Sequence, residues 1–243
     1  MIKVVNLCKD FGSNKVLRGL SVEFENGQTT VVLGRSGCGK SVLLKMILRL
    51  LLIDSGNIII DDIDTTNFSE HKMMAFRKRM GMLFQGSALF DSMNVYENVA
   101  YTLREHTRMK EKEIRLRVWE KLNFVEMDGT ENLMPSELSG GMQKRIALAR
   151  ALANNPDYVF FDEPTTGLDP ITAHTINELI VRVQLHTKST VIVVTHDLES
   201  AAFIAQKTVL LKEGELIFEG DFESFTKSDI EFVKLFRSGG KAG

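Results

Sequence analysis

The sequence predicts a layered α/β protein whose sheet core is interrupted by a long, mostly helical stretch. Three observations carry this reading. Short β-branched and aromatic runs recur along the chain, several are apolar without alternation as strands covered on both faces are, and amphipathic helical patterns lie between some of them. With 243 residues, 44% hydrophobic and 26% charged, the chain is long enough for one full α/β core and a smaller subdomain.

Strands are expected at 2–5, 20–24, 29–33, 58–60, 82–84, 158–161, 190–194 and 209–211. Helical patterns fall at 41–51, 110–122, 142–153 and 171–186. The interval 86–155 offers no convincing strand and is expected to be a mostly helical insertion between two core strands. Glu213-Gly214 between apolar runs predicts a tight hairpin turn. Beyond it, residues 221–243 form a tail in which Ile230, Val233, Leu235 and Phe236 share one helical face, and 238–243 are expected to fray.

A formal charge of −2 gives no broadly cationic surface, so no nucleic-acid partner is expected. Cys8 and Cys38 form no C-x-x-C pair, which excludes a disulfide framework or a cysteine zinc site and suits a reducing compartment. The most apolar run, 42–53, contains Lys45 and Arg49 and is too short to span a bilayer. Met1-Ile2-Lys3 leads directly into strand-like sequence without a signal-peptide pattern. A role at a membrane is therefore expected to need a separate membrane subunit.

Gly34-Arg35-Ser36-Gly37-Cys38-Gly39-Lys40-Ser41 follows one predicted strand and opens a predicted helix, the context that a phosphate-binding loop requires. Glycines let the backbone curl until successive N–H groups face phosphate oxygens, and the helix N-terminus adds its positive dipole end. Lys40 supplies a mobile cation and Ser41 a hydroxyl for Mg2+. Cys38 has two readings, a reactive thiol at a helix N-terminus or a small residue that fits a tight loop.

Tyr158-Val159-Phe160-Phe161 runs into Asp162-Glu163, and open parallel sheets place such strand ends beside the ligand crevice. Asp162 is a candidate Mg2+ ligand and Glu163 a candidate base for the attacking water. His196, after the strand ending at Thr195, is a candidate contact for the γ-phosphate and that water. Gln85 is a third polar group at a strand end, able to reach the metal ion or the water. Leu138-Ser139-Gly140-Gly141-Met142-Gln143 gives a second Gly-rich helix N-terminus, a surplus anion site in a chain with one phosphate loop.

Taken in order, the phosphate loop, Gln85, Leu138 to Gln143, Asp162-Glu163, Thr166-Gly167-Leu168-Asp169 and His196 resemble the ATP-binding cassette ATPases of ABC transporters. The resemblance covers about 1–220 and implies a P-loop NTPase core of ABC type with an N-terminal β subdomain and the helical insertion near 86–155. It also implies ATP and Mg2+ as ligands and a head-to-tail homodimer, in which the signature segment of one subunit closes over ATP held by the other. On this likeness Phe11 matches the aromatic that stacks on adenine, Gly34 to Ser41 with Val42 the Walker A segment, and Gln85 the Q-loop. Ser139, Gly140 and Gly141 match the signature, Asp162 and Glu163 the Walker B pair, Asp169 the D-loop and His196 the switch histidine. Phe11 stands where tyrosine is common, and Met142 departs from the commonest LSGGQ form.

The segment Phe84 to Val95, the following Glu97 to His106, and Pro135 to Met142 are similar to the cassettes of MCE-type phospholipid transporters. That likeness implies a membrane permease and an MCE-domain lipid-binding protein as partners, at the cytoplasmic face of the inner membrane. Leu89, Phe90, Met93 and Tyr96 either line a groove for a permease helix or form a buried contact within the helical insertion. The tail likewise has two readings, docking through Ile230, Val233 and Phe236 on the neighbouring cassette or a small accessory subunit, or folding back on its own domain. Another importer or exporter cassette, and a soluble cassette ATPase of translation or DNA repair, are the alternative functions. The chain lacks the paired cassettes, coiled-coil insertions and zinc modules usual in the soluble class.

Overall fold

A computed structural model describes residues 1–239. The chain divides into two compact units, Met1–Met74 together with the chain from Thr190 onward, and Ala75–Ser189.

The first unit begins with an antiparallel sheet of β1 (Ile2–Phe11), β2 (Asn14–Phe24), β4 (Ser55–Ile60) and β5 (Ile63–Asp64), ordered β2-β1-β4-β5. β1 and β2 run well past the expected 2–5 and 20–24, because a short turn after Phe11 lets both arms pair as far as Phe11 with Asn14. Ile2, Leu7, Leu17, Leu20 and Phe24 from this sheet are fully buried. β3 (Thr29–Gly34) pairs in parallel with β8 (Thr190–Thr195) on one side and β9 (Lys207–Lys212) on the other. Every residue of β3 and β8 is buried, the physical counterpart of their unbroken apolar sequence. β10 (Glu215–Gly220) returns antiparallel to β9 through Glu213 and Gly214, both at positive φ, as a two-residue hairpin demands.

α1 (Lys40–Ile47) stops four residues short of the expected end at 51. Arg49 takes a positive φ, and its guanidinium donates to the carbonyls of Thr65 and Thr66, which turns the chain out of the helix. α7 (Leu198–Ile204) and α8 (Phe222–Lys227) are capped by Asp197 and Asp221. In the tail, α9 (Glu231–Arg237) folds back on its own unit: Val233 is fully buried, whereas Ile230 is exposed. The expected fraying of 238–243 falls largely on 240–243, outside the described residues.

In the second unit β6 (Met80–Leu83) pairs in parallel with β7 (Tyr158–Asp162). Between Gly86 and Asn155 lie α3 (Val95–His106), α4 (Glu111–Phe124), a 3-10 turn at Pro135–Glu137 and α5 (Gly140–Leu152), with α6 (Pro170–Thr187) following β7. The apolar faces of α3, α4 and α5 meet, burying Val99, Leu103, Val118, Leu122, Ile146 and Leu148. α2 (Glu70–Arg77) straddles the division between the units.

β6 approaches α5 so closely that a β-carbon at Gly81 would lie 2.4 Å from the Ala151 carbonyl oxygen. A Gly81→Ala chain must move backbone to relieve this, at a cost of about 1–3 kcal/mol. Its urea midpoint should fall with an unchanged slope, while Gly86→Ala, with nothing within 4 Å of the added carbon, should leave the midpoint near its starting value.

Candidate nucleotide site

In the first unit the buried strand β3 delivers the chain into the Gly34 to Ser41 loop. Gly39 is the N-cap of α1 at φ 103, in a place where a β-carbon would lie 2.7 Å from Leu17 and 3.1 Å from the Val16 carbonyl. No side chain caps this helix and its first turn carries no acidic residue, so its N-terminal amides suit an anion. Lys40 is buried, with its ammonium donating to the carbonyls of Gly34 at 2.7 Å and Arg35 at 3.2 Å. Ser41 and Val42 are half-buried in the first turn.

Cys38 is buried against Gly34, where an added β-carbon would lie 2.4 Å from its Sγ. This favours the reading of Cys38 as a small residue wedged into the loop. Phe11, at the end of β1, keeps 48% of its surface exposed, with the Lys9 ammonium 5.5 Å from its ring centre. His196 is exposed after β8, whereas Asp197 is taken up in capping α7 through the amides of Glu199 and Ser200. Beside the loop, Arg35, Gly37 and Cys38 share a cavity of about 240 Å3 with Lys212 and Phe232. Phe232 comes from α9 and carries the Lys212 ammonium 4.8 Å from its ring centre, a neighbour of the phosphate loop that the sequence reading did not name.

In the second unit β7 ends at Asp162, and Glu163 follows; both are buried. Glu163 holds a positive φ of 49°, a left-handed conformation that costs a non-glycine residue about 1–3 kcal/mol. Its carboxylate accepts from the Thr166 hydroxyl at 3.1 Å. Gln85 is exposed just beyond β6, and after Gly86 the chain is again left-handed, with φ 61° at Ser87 and 51° at Ala88. Two side chains hold that twisted segment. Arg150 donates to the carbonyls of Ser87 at 2.9 Å and Ala88 at 2.8 Å, with its guanidinium 5.6 Å from the Phe90 ring centre. The fully buried Asn98 accepts from the Phe90 amide and donates to the carbonyls of Phe90, Met93 and Asn94.

Ser139 caps α5 by accepting from the Met142 amide, which leaves Gly140 and Gly141 in a first turn without acidic residues. Gln143 braces the segment from beneath, donating to the carbonyls of Pro135 and Leu138. Asp169 caps α6, and its bonds from the Thr172 hydroxyl and amide hold its carboxyl below the usual carboxylate range. Lys144, on the buried side of α5, donates at 3.3 Å to the carbonyls of both Gln85 and Glu163. Burial pulls its pKa down, and the Glu163 carboxylate opposes that shift.

The family model described as ABC transporter matches residues 17–166, more than half of the chain. The chain belongs to the ABC transporter family. Its relatives include the probable ribonucleotide transport ATP-binding protein mkl of Mycobacterium tuberculosis, 40% identical over 100% of this chain and 67% of that protein. The intermembrane phospholipid transport system ATP-binding protein MlaF of Haemophilus influenzae is 41% identical over 98% of this chain and 90% of its own. A dimeric ATP-binding cassette solved in a post-hydrolysis state with ADP and Pi superposes with a TM-score of 0.84 at 34% identity, covering 91% of this chain and 98% of that one. The chain is thus a cassette ATPase, the ATP-binding and ATP-hydrolysing subunit of an ABC transporter.

Asn98 gives the clearest structural test in the second unit. Asn98→Ala takes the acceptor from the part-buried Phe90 amide and removes the donor to three carbonyls, untying this segment from α3 at a cost of about 1–3 kcal/mol. The melting temperature should fall, and the Phe90 amide should lose protection from hydrogen exchange more than amides of α4.

Proposed function

We propose that this cassette energises phospholipid movement through a separate membrane permease, working as a head-to-tail homodimer with ATP held between the subunits. The observation that supports it best is the 41% identity, along nearly the whole chain, to a protein named for intermembrane phospholipid transport. The segment after Gln85 supports it further: Phe90 is exposed, and Leu89, Met93 and Tyr96 are half-exposed, so an apolar surface is available to a permease helix. No helix among the described residues is long and apolar enough to cross a membrane. In this reading the cassette attaches to its permease at the cytoplasmic face of the inner membrane. An MCE-domain protein and a small accessory subunit complete the partner set of this reading.

In the proposed cycle the exposed ring of Phe11 stacks on adenine. The amides from Gly34 to Ser41, with Lys40 and Val42, take the phosphates, while Ser139, Gly140 and Gly141 of one subunit meet the ATP of the other. Asp169, fixed at its helix cap, belongs to the same subunit contact. Ser41, Gln85 and Asp162 offer a hydroxyl, an amide oxygen and a carboxylate, hard oxygens of the kind Mg2+ takes beside nucleotide phosphates. Mg2+ supplies charge neutralisation when bound.

Glu163 then takes a proton from the attacking water, whose oxygen bonds to the γ-phosphorus as the bond to the β,γ-bridging oxygen breaks. His196 hydrogen-bonds the γ-phosphate, and Gln85 carries the change at that phosphate toward the permease surface. ATP binding closes the dimer and hydrolysis reopens it.

The domain reading attached to this function is an ATPase domain over 1–220, with its helical part near 86–155, followed by the tail 221–243. A second reading, transport of a different cargo, is favoured by the 40% identity to a protein named for ribonucleotide transport.

One measurement separates these readings, and a second tests the catalytic base that both share. Affinity purification from native membranes in mild detergent should bring down a multi-span permease with an MCE-domain protein and bound phospholipid; a permease with a soluble substrate-binding protein would move the cargo assignment elsewhere. Glu163→Gln should retain ATP binding, trap the ATP-bound dimer and lower kcat by about 10²–10⁴-fold, the usual worth of a positioned base.

A further inference from the structure

α5 carries the Ser139-Gly140-Gly141 segment at its start, and Lys144 lies one turn further along. Lys144 occupies a place on the buried stripe with Gly141, Leu148 and Leu152 where an apolar side chain would pack without loss of hydration. Only 5% of it is exposed, so its ammonium depends on protein acceptors. Two of these are the backbone carbonyls of Gln85 and Glu163, each at 3.3 Å.

The choice of acceptors is informative. Glu163 is left-handed, as are Ser87 and Ala88 just beyond Gln85, so both backbones need external restraint to stay in place. Lys144 meets them with one charge, and Arg150, six positions along the same helix, grips the carbonyls of Ser87 and Ala88. Two cations of α5 therefore hold the chain beyond Gln85, and one of them, the Lys144 ammonium, also holds the Glu163 backbone.

We propose that Lys144 is the positioning residue that ties the signature helix to the Gln85 and Glu163 backbones, so that a signature segment engaged on the partner's ATP sets the water-handling side chains in register. It acts through those residues and touches no reacting atom. The proposal rests on the roles given above to Glu163, Gln85 and the signature.

The test uses the full-length chain and compares Lys144→Met, Lys144→Arg and Glu163→Gln by steady-state ATP hydrolysis, equilibrium ATP binding and melting temperature. Lys144→Met should lower kcat at least ~10-fold, as expected when a reacting geometry relaxes by a fraction of an ångström. KM and ATP affinity should stay within about twofold of wild type, which separates lost positioning from lost binding. Lys144→Arg, able to reach both carbonyls, should restore much of the rate. In the Glu163→Gln background Lys144→Met should leave the ATP-trapped dimer intact.

Wild-type kcat in Lys144→Met alongside an inactive Glu163→Gln overturns the proposal alone. Rate and ATP affinity falling together in Lys144→Met, or a failure to fold shared by Lys144→Met and Lys144→Arg, assigns Lys144 to stability and also overturns it. Wild-type turnover in Glu163→Gln instead removes the base assignment beneath it.

Discussion

The approach of β6 to the C-terminal part of α5 is the constraint on which the Gln85 segment of the second unit depends. With a glycine at 81 the strand lies against the Ala151 carbonyl, and the chain leaving β6 at Gln85 emerges where α5 can reach it. From that placement follow the bonds of Lys144 to the Gln85 carbonyl and of Arg150 to the next turn of chain. The same helix begins with the glycines of the signature, so its two ends serve different tasks on one rigid body. Its stiffness comes from ordinary sources: an N-cap serine, a continuous ladder of backbone bonds and a buried face of Ile146, Leu148 and Leu152.

Left-handed backbone at non-glycine residues occurs in several turns of the chain, and three such residues flank the candidate catalytic groups of the second unit. Glu163, Ser87 and Ala88 are non-glycine residues at positive φ, each held by side chains from elsewhere in the second unit. Surrounding structure has to over-determine such conformations for them to persist. The restraint at Glu163 includes the Thr166 hydroxyl on its carboxylate, so both its backbone and its side chain are directed. The phosphate loop of the first unit uses the opposite strategy, with glycine at 37 and 39 adopting positive φ at little steric cost.

The parts legible in the sequence were those in which one local pattern suffices. Unbroken apolar runs announced β3, β7 and β8, and Glu213-Gly214 announced the hairpin between β9 and β10. The phosphate loop stood out because its glycines and lysine must follow one another in sequence. α3 went unnamed although Asn94 and Glu97 form a reciprocal capping box, since its polar first turn obscured the apolar stripe of Val95, Val99 and Leu103. Asn98, Arg150 and Phe232 were invisible for another reason: their partners are distant in sequence or are backbone carbonyls, which leave no trace in composition. Lys144 did leave one, a lysine set on an apolar stripe, and the local pattern did not say which carbonyls would receive it.

The packing of α9 has a further consequence. Phe232 is part of the wall of the cavity that Arg35, Gly37 and Cys38 enter from the phosphate loop, and Val233 is sealed into the same unit. The described part of the tail therefore helps to build the flank of the nucleotide loop. A partner that seized α9 would have to unseat Phe232 from Lys212 and open the flank of the nucleotide loop, competing directly with the cassette's own fold. Contact with such a partner through the exposed Ile230 alone would leave that wall standing.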